Sequence, residues 1–409
     1  MTMNRSPISS FLGMRRTSTF AAALCLAVGI SAGTAAASAA PASGTLQRDA
    51  DLLVAEGSPG ALVELVTPRG RVRVRSGYGD VKARTPVPWD ARFRIGSFTK
   101  MFVATTVLRL VGEGRLSLED TVDRWLPGTV AGNGNDGRLI TVRQLLQHTS
   151  GLHEYVSEMP NVFKEKDFLR TRFDTVTAAE AVRLAMSKAP DFAPGTSWAY
   201  SNTNYMLAGM LIERVTGRTW QEEVTARVIR PLGLRHTFTP STSPFIPGPH
   251  AKGYDRFTEK GMEAGPDDPF GPPVDVTLMN PSWGGSAGAM ISTTEDGGTF
   301  LRALLGGKVL RPAQLAEMKR TVPTPPEWSG VPGTRYGLGL IWTPNSCGGS
   351  WSHGGTIHGF LTDNGVTDDG RRSVVVSRNT RTPVPAGSTT VPDQDAVSDL
   401  IDHALCGAG

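Results

Sequence analysis

The chain has 409 residues, 39% hydrophobic and 20% charged, with 42 basic against 38 acidic side chains and a formal net charge of +4. That balance gives no basic patch for nucleic acid and no polybasic run for a membrane surface. Beyond the amino end, no segment approaches the roughly 20 apolar residues needed to cross a bilayer, and the composition is that of a globular enzyme.

At the amino end, Arg5, Arg15 and Arg16 precede an apolar run from Phe20 to Ile30 and a small-residue stretch from Ala35 to Ala42. This is the layout of a secretory signal, with Ala37-Ser38-Ala39 as the cleavage point. The sequence therefore predicts removal of residues 1–39 and secretion into the extracellular, cell-wall space. That segment holds three arginines and no acid, so its loss takes the net charge from +4 to +1. Cys25 follows Leu24 inside the apolar run, which argues against a lipid anchor. Its removal leaves Cys347 and Cys406, an even pair that in an oxidising compartment reads as a disulfide fastening the carboxy-terminal helix to an internal strand. Two buried free thiols are the other reading. About 370 residues remain, enough for one large domain or two intimate ones.

In chain order, residues 44–56 read as an amphipathic helix. Ala61–Val66 and Arg71–Arg75 alternate around Thr67-Pro68-Arg69-Gly70, a hairpin pattern. Extended residues Ala91–Ile95 then meet an apolar helix carrying Met101, Phe102, Val103, Val107, Leu108 and Val111. A mainly helical stretch follows to about residue 235, with helices expected at Val142–His148, Ala178–Lys188, Tyr205–Val215 and Trp220–Val228. Residues 238–275, rich in Pro and Gly, read as a long functional loop or lid. Strands return at Tyr336–Trp342, Ser350–Ile357, Phe360–Val366 and Arg372–Ser377, and a last helix at Gln394–Leu405. The expected fold is α/β (α+β), an antiparallel sheet flanked by helices and built from both chain ends. The sheet lobe would span about 44–105 and 280–409, and an inserted helical lobe about 106–279. A cleft between lobes is the natural active site.

Ser97-Phe98-Thr99-Lys100 lies where the extended segment meets the apolar helix. Residues three apart share a helix face, so the Lys100 amine can reach the Ser97 hydroxyl, a poor nucleophile that needs an adjacent base. Burial depresses a lysine pKa and favours the neutral, basic form. Chance alone supplies about one S-x-x-K in a chain this long, so the assignment rests on context.

Two further motifs supply it: Tyr200-Ser201-Asn202, in a polar loop opening a helix, and His353-Gly354-Gly355-Thr356 on a late strand pattern. Alone, Tyr200 would be a packed aromatic, Asn202 a turn or cap, and His353 a satisfied core histidine. His353 and His358 are five apart, and no metal-ligand spacing points to zinc. In this order, together with Leu145–Leu152 and Tyr336–Leu340, the motifs resemble the penicillin-recognising serine hydrolases. Within that superfamily they are similar to soluble exported D-alanyl-D-alanine carboxypeptidases, class C β-lactamases and related esterases. The resemblance implies that Ser97 is acylated, Lys100 is its hydrogen-bonded partner and Tyr200 carries protons. It further implies that Asn202 holds the substrate amide and that His353 supports the Tyr200 hydroxyl. Backbone N–H groups of Ser97 and Thr356 would form the oxyanion hole, with Gly355 and Trp283 lining the cleft. It implies no cofactor, a small peptide, amide or ester substrate, β-lactams as acylating inhibitors, and a monomer.

A rival nucleophile exists in Gly284-Gly285-Ser286-Ala287-Gly288, a G-x-S-x-G pattern, but Pro281 is wrong for the central strand such an elbow requires. Two departures qualify the resemblance. Carboxypeptidase members carry a Thr and an Arg, gripping the substrate's terminal carboxylate, where this chain has Gly354 and Ile341. Arg335 is the remaining candidate for that grip. The expectation is a carboxypeptidase-type peptidase, with a D-amidase, D-aminopeptidase, esterase or non-turnover penicillin sensor as alternatives.

Overall fold

A computed structural model describes residues 39–159, 163–261, 268–384 and 395–407. The expected export segment lies outside them but for Ala39. Among the described residues, one antiparallel sheet holds β1 (Gly60–Thr67), β2 (Gly70–Gly77), β3 (Val322–Pro323), β4 (Arg335–Tyr336), β5 (Ile341–Thr343), β6 (Ser350–Ser352), β7 (Gly355–Ile357), β8 (Phe360–Val366) and β9 (Ser373–Arg378). Their spatial order is β2-β1-β9-β8-β6-β5-β4-β3, with β7 paired to β8. The hairpin β1–β2 turns as the sequence predicts, Thr67 opposite Gly70. The first strand pairs with the last, from Ala61 opposite Arg378 to Val66 opposite Ser373. The two chain ends thus build one sheet.

Five helices matter for the site: α1 (Ala39–Ala55), α2 (Thr99–Gly112), α3 (Asn202–Thr216), α4 (Thr294–Leu305) and α5 (Asp395–Cys406). Alternation along β9 divides the core. Val374 and Val376 pack with Leu46, Ala50 and Leu53 of α1 and Val397, Leu400 and Leu405 of α5. Val375, pointing the other way, packs in the main core with Phe300 and Leu301 of α4. Each fully buried Leu or Val contributes about 1.5–3 kcal/mol. Residues Thr99 through Leu108 of α2 are all buried, which makes it a core helix on every face and takes Lys100 inside with it. No described helix is long and apolar enough to cross a membrane.

The structure corrects two expected strands. Tyr336–Trp342 is a hairpin: Tyr336 of β4 faces Ile341 of β5, with Gly337–Leu340 as the turn. Gly339 has φ +71°, and a Cβ there would lie 2.6 Å from the Tyr205 hydroxyl and 2.7 Å from Ala104 Cβ. A glycine in that conformation beside two packed side chains makes a turn rather than a central strand. Ser350–Ile357 likewise breaks at His353-Gly354 into β6 and β7. Cys347 does pair with Cys406, 59 residues apart, but it lies in the turn between β5 and β6 rather than in a strand.

Within residues 238–275, the described part is mainly irregular, and Tyr254–Asp255 pairs with Val274–Asp275. Fully buried Asp255 accepts hydrogen bonds from His358 Nδ1 (2.5 Å), Gly359 N (3.1 Å) and Arg381 N (3.0 Å), and its carboxylate lies 3.2 Å from Arg381 Nε. Burial raises its carboxyl pKa, yet Arg381, His358 and Gly359 overcome that and hold it below the usual value. One carboxylate thereby ties the long loop to the β7–β8 turn and to the segment after β9. Removing one member of such a buried pair leaves its partners uncompensated, so Asp255→Asn is expected to lower the unfolding free energy by about 3–5 kcal/mol. Urea titration of the variant against the parent checks it, and a loss below about 1 kcal/mol would place the loop's anchorage elsewhere.

Candidate active site

Phe93–Arg94 pairs with Ile291–Ser292 and leads the chain into Gly96, whose φ is +50°. A Cβ on Gly96 would lie 2.8 Å from Thr356 N, and one on Gly355 would lie 1.9 Å from Ile95 O and 3.0 Å from Ser97 N. Two glycines thus let the backbone entering α2 touch the backbone of β7, which brings the Ser97 and Thr356 amides together. Ser97 sits in a single 3₁₀ turn, Gly96–Phe98, running directly into α2. The sequence placed it at the helix N-terminus itself. The three-residue spacing still aligns the side chains, because residues i and i+3 eclipse in a 3₁₀ turn.

Lys100 is 0% exposed, and Ser97 is half-buried. The amine donates to three acceptors: Ser97 Oγ at 3.0 Å, Asn202 Oδ1 at 2.7 Å and Ala287 O at 2.9 Å. Burial lowers its pKa to about 7, against the attraction of Glu154. Lys100 Nζ also stands 4.8 Å from the centre of the Tyr200 ring. The Tyr200 hydroxyl is hydrogen-bonded to Ser97, and burial pushes its phenol well above the usual value. At neutral pH, then, the lysine is near its midpoint and the tyrosine keeps its proton.

The Tyr200 ring is clamped between two partners that sequence reasoning did not single out. His148 lies 4.4 Å from it and Trp328 5.7 Å, the latter stacked at 26°. His148, left-handed at φ +61°, closes the helix Val142–Gln147. Its Nδ1 accepts from Ser201 N (3.2 Å) and Asn204 Nδ2 (3.0 Å), tying the Leu145–Leu152 segment to the start of α3. Desolvation and Lys100 keep this imidazole neutral.

His353 stands differently from the role the resemblance implies. Its Nδ1–H donates to Gly354 O (2.8 Å), and its Nε2 accepts from the Tyr336 hydroxyl (2.9 Å). Its ring centre is 6.3 Å from that of Tyr200. Burial, aided by Lys100, lowers its pKa to about 3, so it is a neutral ring holding the β6–β7 junction and orienting Tyr336. Both ring nitrogens are engaged away from the Tyr200 hydroxyl.

Asn202 opens α3. Its Oδ1 faces Lys100, while its Nδ2 (2.9 Å) and backbone N (2.7 Å) both donate to Glu154 Oε2. Glu154 Oε1 accepts from Val156 N at 3.0 Å. Sequence reasoning missed Glu154: it stands two residues past Leu152, but nothing local links it to a residue 48 positions later.

The remaining candidates separate clearly. Trp283 is half-buried, its carbonyl accepting from the Tyr155 hydroxyl and its ring 5.8 Å from His358. Thr356 is exposed on β7 beside buried Gly355. Ser286 is 2% exposed, and its Oγ donates to Tyr205 O at 2.7 Å. Pro281–Trp283 before it is a 3₁₀ turn, not a strand. The elbow reading therefore fails, although the same segment supplies the Ala287 carbonyl to Lys100. Arg335 is turned away, donating through Nε to Thr321 Oγ1 (2.8 Å) and through its terminal nitrogen to Thr321 O (3.2 Å). Ile341 and Gly354 bring no charge.

The family model described as Beta-lactamase matches residues 46–396. Among solved structures, a D-stereospecific amidohydrolase from Streptomyces sp. is 41% identical, covering 90% of this chain and 99% of that one, with a TM-score of 0.78. The D-amino acid amidase of Ochrobactrum anthropi SV3 is 28% identical, covering 89% and 97%, with a TM-score of 0.73. The esterase EstB of Burkholderia gladioli is 29% identical over 362 residues, covering 82% of this chain and 90% of EstB. Protein flp of Staphylococcus aureus (strain MW2) is 32% identical over 181 residues, a match spanning 34% of flp's own length. With a family model over most of its length and these relatives, the chain belongs to the β-lactamase family, as a serine hydrolase.

Proposed function

We propose that the protein hydrolyses amides and short peptides of D-amino acids through an acyl-enzyme on Ser97. The observation that carries this reading is the lack of charge at Gly354 and Ile341, where the resemblance expects a carboxylate grip, with Arg335 bound to Thr321 instead. An enzyme selecting a terminal carboxylate needs a cation there, and a guanidinium fork suits the task. An amide substrate needs none. The names and coverage of the Streptomyces and Ochrobactrum structures support the same class. EstB supports ester cleavage by the same chemistry, and residues 1–39 support export.

In this reading neutral Lys100 takes the Ser97 proton as Oγ attacks the carbonyl carbon. The oxyanion develops against the Ser97 and Thr356 amides, where one such donor is worth about 3 kcal/mol in the transition state. The proton held by Lys100 passes through Tyr200 to the leaving nitrogen. Water then attacks the ester, its proton following the same path in reverse, and frees Ser97. The amine is pushed down and the phenol up, which supports Lys100 as the base and Tyr200 as the acid. β-Lactams would acylate the same serine and leave slowly.

A substrate panel tests the reading: D-phenylalanine amide, its L-enantiomer, a D-Ala-D-Ala peptide with free or amidated terminus, and a nitrophenyl ester. The D-amide should exceed the L-amide by at least ~10-fold in kcat/KM, about 1.4 kcal/mol of discrimination. Free and amidated termini should react at similar rates. A ~10-fold preference for the free carboxylate would restore the carboxypeptidase reading.

Labelling by a fluorescent penicillin separates the two serines. Ser97→Ala should abolish labelling and lower ester turnover by more than about 10³-fold. Ser286→Ala should retain both within a few-fold. The reverse pattern would reinstate the G-x-S-x-G nucleophile.

A further inference from the structure

Neutral Lys100 has two N–H groups and one lone pair. Two of its three neighbours, Asn202 Oδ1 and Ala287 O, can only accept, so they hold both N–H groups. The third direction, toward Ser97 Oγ at 3.0 Å, is left to the lone pair. This aim depends on which end of the Asn202 amide faces the lysine. Turned over, Asn202 would present its NH₂ and capture the lone pair, leaving an N–H pointing at the serine. Lys100 cannot enforce the choice alone, because its amine serves as donor or acceptor.

Glu154 can. Its Oε2 takes both the side-chain and backbone N–H of Asn202, and Oε1 takes Val156 N, so every contact requires an acceptor. An amide oxygen turned toward that carboxylate would be repelled. We propose that Glu154 is a positioning residue for acylation: its carboxylate fixes the Asn202 amide so that the Lys100 lone pair points at Ser97. This rests on the assignment of Ser97 and Lys100 made above, but not on the D-amide substrate. The titratable groups facing Lys100 are Glu154, Tyr200, Tyr205, His148 and His353. The two imidazoles are neutral and the phenols protonated, and Glu154 is the acid among them. Its carboxyl is raised by burial against the N–H donors of Asn202 and Val156 and the nearby amine, and its three N–H contacts are those of a carboxylate. Glu154 holds the Lys100 pKa up against desolvation.

The test is burst acylation of the full chain by nitrophenyl acetate, which has no ammonium and no D-centre, beside steady-state turnover of D-phenylalanine amide. Glu154→Gln puts an NH₂ where an acceptor is required. Acylation should fall by ~10-fold or more, a part of the ~10²–10⁴-fold that a positioned base supplies. The sign of the pH effect is fixed. Activity needs neutral Lys100 and rises through its pKa; losing the Glu154 charge lowers that pKa, so the acid limb must move to lower pH. That shift reads the lost charge alone; the lost aim is read as the fall in acylation on the plateau above the limb, where Lys100 is neutral in parent and variant. Glu154→Asp, the stand-in should Glu154→Gln not fold, keeps the charge but shortens the reach to Asn202. It should lose ~10-fold in acylation with the limb unmoved. Unchanged acylation in either variant overturns the proposal. So does a loss confined to KM for the amide with the ester burst intact, which would put Glu154 on the substrate's ammonium. A parent enzyme that bursts with the ester but ignores D-amides would sink the substrate reading alone. Ester turnover that survives Ser97→Ala would sink the Ser97 assignment and this inference with it.

Discussion

An ammonium group stripped of water must gain partners or lose its proton, and Lys100 is held between these outcomes. Three acceptors surround it at hydrogen-bond distance, enough to satisfy all three N–H groups of the charged form. Desolvation nevertheless brings its pKa to about 7. The consequence is an amine that switches between donor and base without rearrangement. Most of the surrounding architecture serves this state: α2 is buried so that the lysine is, and α3 starts at Asn202 to meet it. The glycine-rich turn around Ser286 offers it a carbonyl.

The imidazoles near the amine follow from the same constraint. A second cation next to Lys100 would favour its neutral form but could not itself be sustained without water. His148 and His353 accordingly stay neutral, and each has a fixed tautomer. His148 accepts at Nδ1 from a backbone N–H, and His353 donates from Nδ1 to a backbone carbonyl. A histidine at position 353, in place of the lysine of other family members, thus leaves Lys100 as the one titrating amine among the groups described around Ser97. His353 acts on the cleft through Tyr336 and the β6–β7 junction.

Local signals in the chain were legible. The hairpin β1–β2 and the Ser97–Lys100 spacing follow from neighbours within four residues, as does the α3 helix, expected from Tyr205 and beginning at Asn202. What stayed hidden depends on distant partners. Glu154 meets Asn202 across 48 positions, and Asp255 meets His358 across 103. The Tyr336–Trp342 stretch alternates like a strand, but the chain turns at Gly339 with a positive φ, where Tyr205 and Ala104 fill the space a side chain would need. Apolar alternation has no view of that packing. The resemblance singles out His353, yet its hydrogen-bond partners are Gly354 and Tyr336, which no motif specifies.

Pairing of the first strand with the last has a consequence for when the chain becomes active. Ser97 and Lys100 are synthesised early, while Thr356, His353 and β9 come near the end of the chain. Until β9 docks beside β1, the segment before α2 has no β7 backbone to lie against, and the nucleophile has no second amide facing it. Such non-local pairing is slow to form, because a long loop must close before any contact rewards it. A ribosome-bound chain that still lacks β9 therefore carries an unarmed serine. Reactivity arrives with completion of the sheet, so the fold itself acts as the timer.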